Sequence, residues 1–259
     1  MFYNNIDPVL LSLGPLEIRY YGLVYVLGFL LVFFVLQYYR KHGELDMSDN
    51  DIYDLLLYVI LGIVIGSRVV HILFWNPTHY LSYPLDVFAL WKGGMAFHGG
   101  LIGVVAGVWL YCRKRSVNLW KIADILSIPA LIALAVGRLA NFTNHELYGP
   151  VTDASWCVVF NTAEGCRHPY QIYSFLKRMI VACGLWFLLS KRKTKKFKDG
   201  FIFWNLVVWV NLGRFAIDLY RVDERWLGLT AGQYISAVLF VVGIVVLLKY
   251  HWKDIKNVS

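Results

Sequence analysis

Apolar residues in this chain are gathered into separated blocks of about 20, each long enough to cross a hydrocarbon core of roughly 30 Å as a helix rising 1.5 Å per residue. Seven such blocks stand out: Ile18 to Gln37, Ile52 to Trp75, Met95 to Cys112, Ile122 to Phe142, Ile172 to Ser190, Phe201 to Leu219 and Tyr234 to Tyr250. Only 16% of the 259 residues are charged, against about 25% in a soluble globule. An ordinary cytosolic enzyme, a disordered chain and a nucleic-acid binder are excluded, because the net charge of +8 sits in a chain that is 58% hydrophobic. The predicted fold is all-α: a polytopic membrane protein of seven transmembrane helices forming a single transmembrane domain over 1–259. Asn-Pro, Tyr-Pro, Gly-Gly, Tyr-Gly-Pro and His-Pro turns mark ordered insertions at about 76–94 and 143–171. The N-terminus lacks a basic region and a small-residue cleavage site, so the first span is expected to be retained.

Orientation follows from lysine and arginine. The connections after the first, third, fifth and seventh spans hold Arg40 and Lys41; Arg113, Lys114, Arg115 and Lys121; Lys191, Arg192, Lys193, Lys195, Lys196 and Lys198; and Lys249, Lys253 and Lys256. If the spans alternate, all lie on one side, which the positive-inside rule makes cytoplasmic. The N-terminus is then outside, the C-terminus inside and both insertions extracytoplasmic. Gly62, Gly66 and Ser67 in the second span, and Gly99, Gly100, Gly103 and Gly107 in the third, are small residues that let membrane helices approach closely. Cys112 and Cys183 read as small apolar packers. Cys157 and Cys166 fall in a polar connection and can pair if it faces an oxidising compartment.

This orientation gives each ionisable residue a depth. Arg68, Arg138 and the Arg214, Asp218, Arg221 series fall in the outer halves of their spans, and Tyr21 and His98 lie near outer ends. An arginine inside a membrane costs roughly 2.5–3.5 kcal/mol at the helix centre. Two readings stay open: snorkelling to the interface with an Arg214 to Asp218 pair, or an anion site beneath the outer leaflet. The planar guanidinium fork suits phosphate, and the phosphate most available at that depth belongs to a phospholipid headgroup.

Five motifs together resemble the prolipoprotein diacylglyceryl transferase family: Tyr20-Tyr21-Gly22-Leu-Val-Tyr25, His98-Gly99-Gly100-Leu-Ile-Gly103, the block from Gly137-Arg138 through Asn141 and Glu146 to Gly149, Arg167-His168-Pro169-Tyr-Gln171-Ile-Tyr173, and Gly228-Leu-Thr230-Ala-Gly232-Gln233. The resemblance runs from the first span to the last. It implies a transferase of the bacterial cytoplasmic (inner) membrane that moves the diacylglyceryl group of phosphatidylglycerol to the lipobox cysteine of a prolipoprotein signal peptide, releasing glycerol phosphate. Tyr21, His98, Arg138, Asn141, Glu146, Gly149 and Arg214 match positions the family treats as functional, and Asp124 matches an acidic position deeper in the fourth span. Three residues depart from the pattern: His145 stands where glycine is usual, Ser174 where an acid follows the tyrosine, and Asp218 where glutamate is usual.

Substitution at the glycerol carbon needs a thiolate, a held phosphate and their alignment. His98 suits a base by its pKa near 6.5, the alternative being a helix-end histidine bonded to backbone. Arg138 and Arg214 are the candidates for the phosphate and the charge developing on it. Asn141, Glu146 and Asp218 are expected to bind or orient the headgroup, Tyr21 to donate one hydrogen bond, and Gly149 to act through backbone shape. No metal or other cofactor is expected, since neither HExxH nor a Cys/His ligand spacing occurs. The runner-up is a transporter or flippase for an anionic lipid or small anion.

Overall fold

The computed structural model describes residues 2–14, 16–191 and 197–258. In chain order it contains β1 (Phe2–Asn4), β2 (Val9–Leu13), β3 (Leu16–Arg19), α1 (Tyr20–Lys41), α2 (Asp49–Phe74), α3 (Pro77–Ser82), α4 (Phe97–Arg115) and α5 (Leu119–Thr143). There follow β4 (Val158–Phe160), β5 (Cys166–Arg167), α6 (Tyr170–Lys191), α7 (Phe201–Ile217), β6 (Arg225–Trp226), β7 (Leu229–Thr230), α8 (Ala231–Tyr250) and α9 (Trp252–Val258). Six of these, α1, α2, α5, α6, α7 and α8, are helices long and apolar enough to cross a membrane. The expected span at Met95 to Cys112 is a helix too, the 19-residue α4. It stands apart from those six because Gly99, Gly100, Gly103 and Gly107 replace larger apolar residues and Arg113, Lys114 and Arg115 close it. Of the basic connections, Arg192, Lys193, Lys195 and Lys196 lie outside the described residues.

The all-α expectation needs one correction. Short strands, none longer than five residues, form three small sheets outside the long helices. β1 pairs in parallel with β4, Tyr3 opposite Val159, and β4 pairs antiparallel with β5. β2 and β3 form a hairpin with an irregularity between Val9 and Leu11, and β6 pairs with β7. Strands this short carry too few alternations to register as a period-two pattern. Beside β4 and β5, Cys157 and Cys166 are joined in a disulfide.

The chain packs as two compact units, Phe33–Ile122 and a discontinuous one made of Met1–Val32 and Ala123–Ser259. In the first, α2 starts with a capping box: the Asp51 N–H donates to the Ser48 hydroxyl at 3.2 Å and the Ser48 N–H to the Asp51 carboxylate at 2.9 Å. α2 then meets α4 backbone to backbone. A Cβ on Gly103 would fall within covalent range of the Gly62 carbonyl, and one on Gly99 would collide with the Gly66 carbonyl. Small residues are thus required along this seam, as packing in lipid favours. In the second unit the core gathers Leu131 from α5, Val181 and Leu185 from α6, Phe201, Ile202 and Val208 from α7, and Leu247 from α8. Ile180 on α6 is 72% exposed and Val238 on α8 is 62% exposed, as befits residues whose solvent is hydrocarbon. Asp124 takes the start of α7, accepting the Gly200 N–H at 2.9 Å and the Phe203 N–H at 2.8 Å. Asp124, in the second turn of α5, is therefore a helix cap for its neighbour.

Candidate active site

The C-terminal turns of α5 hold a relay of polar side chains. Arg138 and Asn141 are three apart and share one face; Arg138 Nη1 donates to Asn141 Oδ1 at 3.3 Å, and Asn141 Nδ2 donates to Glu146 Oε1 at 2.7 Å. The loop that returns Glu146 toward the helix is fixed at both ends of the residue. Its N–H donates to the Asn141 carbonyl at 3.1 Å, and its carbonyl accepts from Nε2 of the fully buried Gln171 at 2.6 Å. From the N-terminal segment, Asn4 Nδ2 donates at 2.8 Å to the Phe142 carbonyl, one of the acceptors a helix end leaves open.

A second group lies where α7 ends. Arg214 Nε donates to Asp218 Oδ2 at 3.3 Å, and the Tyr170 hydroxyl donates to Asp218 Oδ1 at 2.6 Å. Asp218, one of the expected headgroup residues, is fully buried with one oxygen engaged by Arg214 and the other by Tyr170. α8 makes room for this pair. A Cβ on Gly232 would stand 2.8 Å from Arg214 Nη2 and 2.9 Å from Asp218 Oδ2. Thr230 and Gln233 form a capping box at the start of α8, and Gln233 Nε2 donates to the Phe215 carbonyl at 3.0 Å, tying α8 to α7. Gly149 lies against the chain just past α7: a Cβ there would come 2.7 Å from the Tyr220 carbonyl and 2.8 Å from His168 Cβ. The close approach leaves no room for a side chain at this position.

Arg138, Arg214 and Arg221 lie in electrostatic reach of one another, with Tyr170 and Tyr21 also close enough to act on Arg138. Tyr21 is 37% exposed and hydrogen-bonds Tyr25, their rings 5.4 Å apart. Arg221 Nε is 2.8 Å from Asp223 and its guanidinium is 5.9 Å from the Tyr170 ring centre. Partial burial opposes the Arg221 charge, but Asp223, Tyr170 and Asp218 outweigh it and hold the guanidinium above its ordinary value. Lys177 and Arg178 of α6 join the same electrostatic cluster. Sequence reasoning did not single them out, although the Lys-Arg pair is plain within the fifth apolar block, because a window average hides two charges among twenty residues. Tyr170 was missed for a different reason: only the fold reveals that it shares Asp218 with Arg214.

Two expected residues sit on the other compact unit. His98 is the second residue of α4 and is exposed. Its ring makes no hydrogen bond to any described residue, so the helix-end alternative is not what the structure shows. Arg68 is buried, and its donors go to backbone: Nε to the Val87 carbonyl at 3.0 Å, Nη1 to Gly94 at 3.1 Å and to Gly93, and Nη2 to Ala89 at 3.2 Å and to Asp86. Arg68 is thus a latch on the 76–94 segment. The hollow beside it, about 370 Å³, is bordered by His79, Asp86 and Lys92, which already pair with one another at 2.7–3.0 Å.

The family model for prolipoprotein diacylglyceryl transferase matches residues 8–249. The chain belongs to the prolipoprotein diacylglyceryl transferase family. Proteins named phosphatidylglycerol--prolipoprotein diacylglyceryl transferase are similar over nearly its whole length. One from Geobacter sulfurreducens is 38% identical, covering 94% of this chain and 95% of its own. Another from Bordetella avium is 37% identical over 94% of both chains, and one from Rickettsia felis is 34% identical over 94% and 96%. The chain is accordingly a transferase and a multi-pass membrane protein. Its departures from the family pattern have physical explanations. His145 has φ 54°, a left-handed conformation that glycine adopts without strain. Here the imidazole compensates, its Nε2 3.0 Å from the Ile6 carbonyl and its ring edge-on to Phe160. Ser174 is buried and accepts from Arg178 four residues on, and Asp218 reaches Arg214 within one helical turn.

Proposed function

We propose that this chain transfers the diacylglyceryl group of phosphatidylglycerol to the lipobox cysteine of prolipoprotein signal peptides, forming a thioether and releasing glycerol phosphate. The observation that carries this reading is the gathering of guanidinium groups at the ends of α5 and α7, where among the described residues Arg138 has only a neutral amide for a hydrogen-bond partner. An anion must complete such a cluster in a low-dielectric setting. In lipid the available anion is a headgroup phosphate.

In this reading Arg138 and Arg214 grip the phosphate and stabilise the charge that builds on it as the glycerol C–O bond breaks. Asn141 and Glu146 fix the rotamer of Arg138 and border the headgroup, and Gly149 lets the loop pass close to His168. Asp218 and Tyr170 aim Arg214. Tyr21 donates to the headgroup. His98, by its chemistry and its match to the family motif, takes the thiol proton, which a free cysteine of pKa about 8.5 releases too seldom at neutral pH.

The same proposal places seven spans in the bacterial cytoplasmic membrane, N-terminus outside, with α4 as the third. At 19 residues and 1.5 Å per residue α4 is about as long as the hydrocarbon core is thick. The positive-inside bias and the Cys157 to Cys166 disulfide, which belongs in an oxidising compartment, both support an outward-facing site. The test is turnover by the purified full-length protein supplied with phosphatidylglycerol and a lipobox peptide. Thioether product with one glycerol phosphate released per transfer is the expected result; lipid movement across a bilayer with no product would overturn the enzyme in favour of a carrier.

A further inference from the structure

Lys177 and Arg178 are seven and eight residues into α6, so they lie about 11 Å along the helix axis from its outer end at Tyr170. A charge that far into a span costs roughly 2.5–3.5 kcal/mol at the centre, yet among the described residues neither has a carboxylate in ion-pair distance. Lys177 Nζ donates only to the Val210 carbonyl, at 3.4 Å. Arg178 Nη1 donates to the Ser174 carbonyl at 3.0 Å and to the Ser174 hydroxyl, while its Nε and Nη2 have no partner among the described residues. The acid that acts on both is Asp218, and its two oxygens are taken by Tyr170 and Arg214. The other charges felt by both residues are Arg138 and Arg214.

The neighbouring helix accommodates this arrangement. A Cβ on Gly213 would stand 2.8 Å from Lys177 Cγ, so the glycine in α7 makes the channel through which the lysine stem runs. Among the described residues Arg138, Lys177 and Arg178 are therefore three basic side chains with only neutral acceptors, beside Arg214 and Arg221, which each have an acid. A phosphodiester, with one negative charge, would leave that cluster in surplus.

The surplus fits the product of the proposed reaction. The thiolate sulfur forms a bond to the glycerol carbon, the C–O bond breaks, and its electron pair stays on the phosphate oxygen. The diester monoanion thereby becomes a monoester whose charge approaches −2 at neutral pH, its second pKa being about 6. We propose that Lys177 and Arg178 form a subsite for the departing phosphate monoester, taking up the second negative charge as it develops. This rests on the transferase reading above. Interactions stronger in the transition state than in the ground state raise kcat and leave KM nearly unchanged.

The experiment uses the full-length protein with phosphatidylglycerol, a lipobox peptide and added glycerol phosphate as product inhibitor. Lys177→Met and Arg178→Gln are expected to lower kcat about tenfold or more, to leave KM for the lipid within about twofold, and to weaken glycerol phosphate inhibition about tenfold. Arg178→Lys, which keeps the charge, restores most of both. Should the neutral variants fail to fold, the distance from Lys177 Nζ to the phosphorus of bound glycerol phosphate, measured by solid-state NMR on the wild type, serves instead: about 4 Å is expected, and no contact overturns the subsite. A raised KM with unchanged kcat, or product inhibition indifferent to these residues, overturns it as well. A wild type that makes no thioether overturns the transferase reading itself, which keeps the two failures distinct.

Discussion

Arg138 donates to the Asn141 amide oxygen, Arg214 to one oxygen of Asp218, and the rest of each fork is left to other acceptors. Replacing either with glutamine removes the fork and keeps the volume roughly constant. Arg138→Gln and Arg214→Gln are each expected to lower transfer about 100-fold or more, with folded yield and melting temperature little changed, as read by peptide lipidation and thermal unfolding in detergent. His145 makes the opposite case. His145→Gly relieves the left-handed backbone but forfeits the contact with the Ile6 carbonyl, so stability is expected to stay within about 1 kcal/mol of wild type with activity kept. His145→Val, β-branched at φ 54°, is expected to melt markedly earlier. Arg138 and Arg214 stand out in the sequence because charge inside an apolar block is costly and therefore informative, whereas Asn141 and Glu146 were singled out only through the resemblance to the family. The Arg214 to Asp218 pair was one of the two readings the sequence left open, and the pair is formed; the Tyr170 hydroxyl that shares Asp218 belongs to the fold.

Elements follow the same logic through their backbones. The seam between α2 and α4 leaves no room for a side chain, so Gly103→Ala, whose new methyl meets the Gly62 carbonyl, is expected to cost roughly 1–3 kcal/mol and to lower the melting temperature without altering headgroup selectivity. The 76–94 segment is held by Arg68 and by Asp86 between His79 and Lys92. Hydrogen bonds from Lys92 and then His79 keep the Asp86 carboxyl below the usual carboxylate range. A depressed carboxyl contributes stability above its ordinary pKa of about 3.9, and that contribution is lost as pH falls through the lowered value. Hydrogen exchange in 76–94 is therefore expected to speed up in acid below about pH 4 in the wild type, and Asp86→Asn to remove that pH dependence. The glycines of the second and third apolar blocks foretold close helix approach, and the fold shows that the helices that meet there are α2 and α4. Arg68 gave no such sign of its carbonyl cage, because the acceptors come from an irregular segment whose path no periodicity sets.

At the scale of the whole molecule, hydropathy located every long helix, with boundaries displaced by a few residues: the fourth expected span, Ile122 to Phe142, is α5 at Leu119–Thr143. The small sheets went unseen, although β1 and the loop after β4 help hold the end of α5 through Asn4 and through the Thr162 hydroxyl, which donates to the His145 carbonyl at 2.6 Å. What unites the scales is the proposal that a phosphate is held by Arg138 and Arg214. Solid-state NMR on arginine-labelled protein in phosphatidylglycerol bilayers, measuring guanidinium nitrogen to phosphorus distances, tests that directly. The account predicts contacts of about 4 Å, as charge-assisted hydrogen bonds to phosphate require, lost in the Arg138→Gln, Arg214→Gln double variant. Absence of such contacts in the wild type, or their persistence in the double variant, would contradict it.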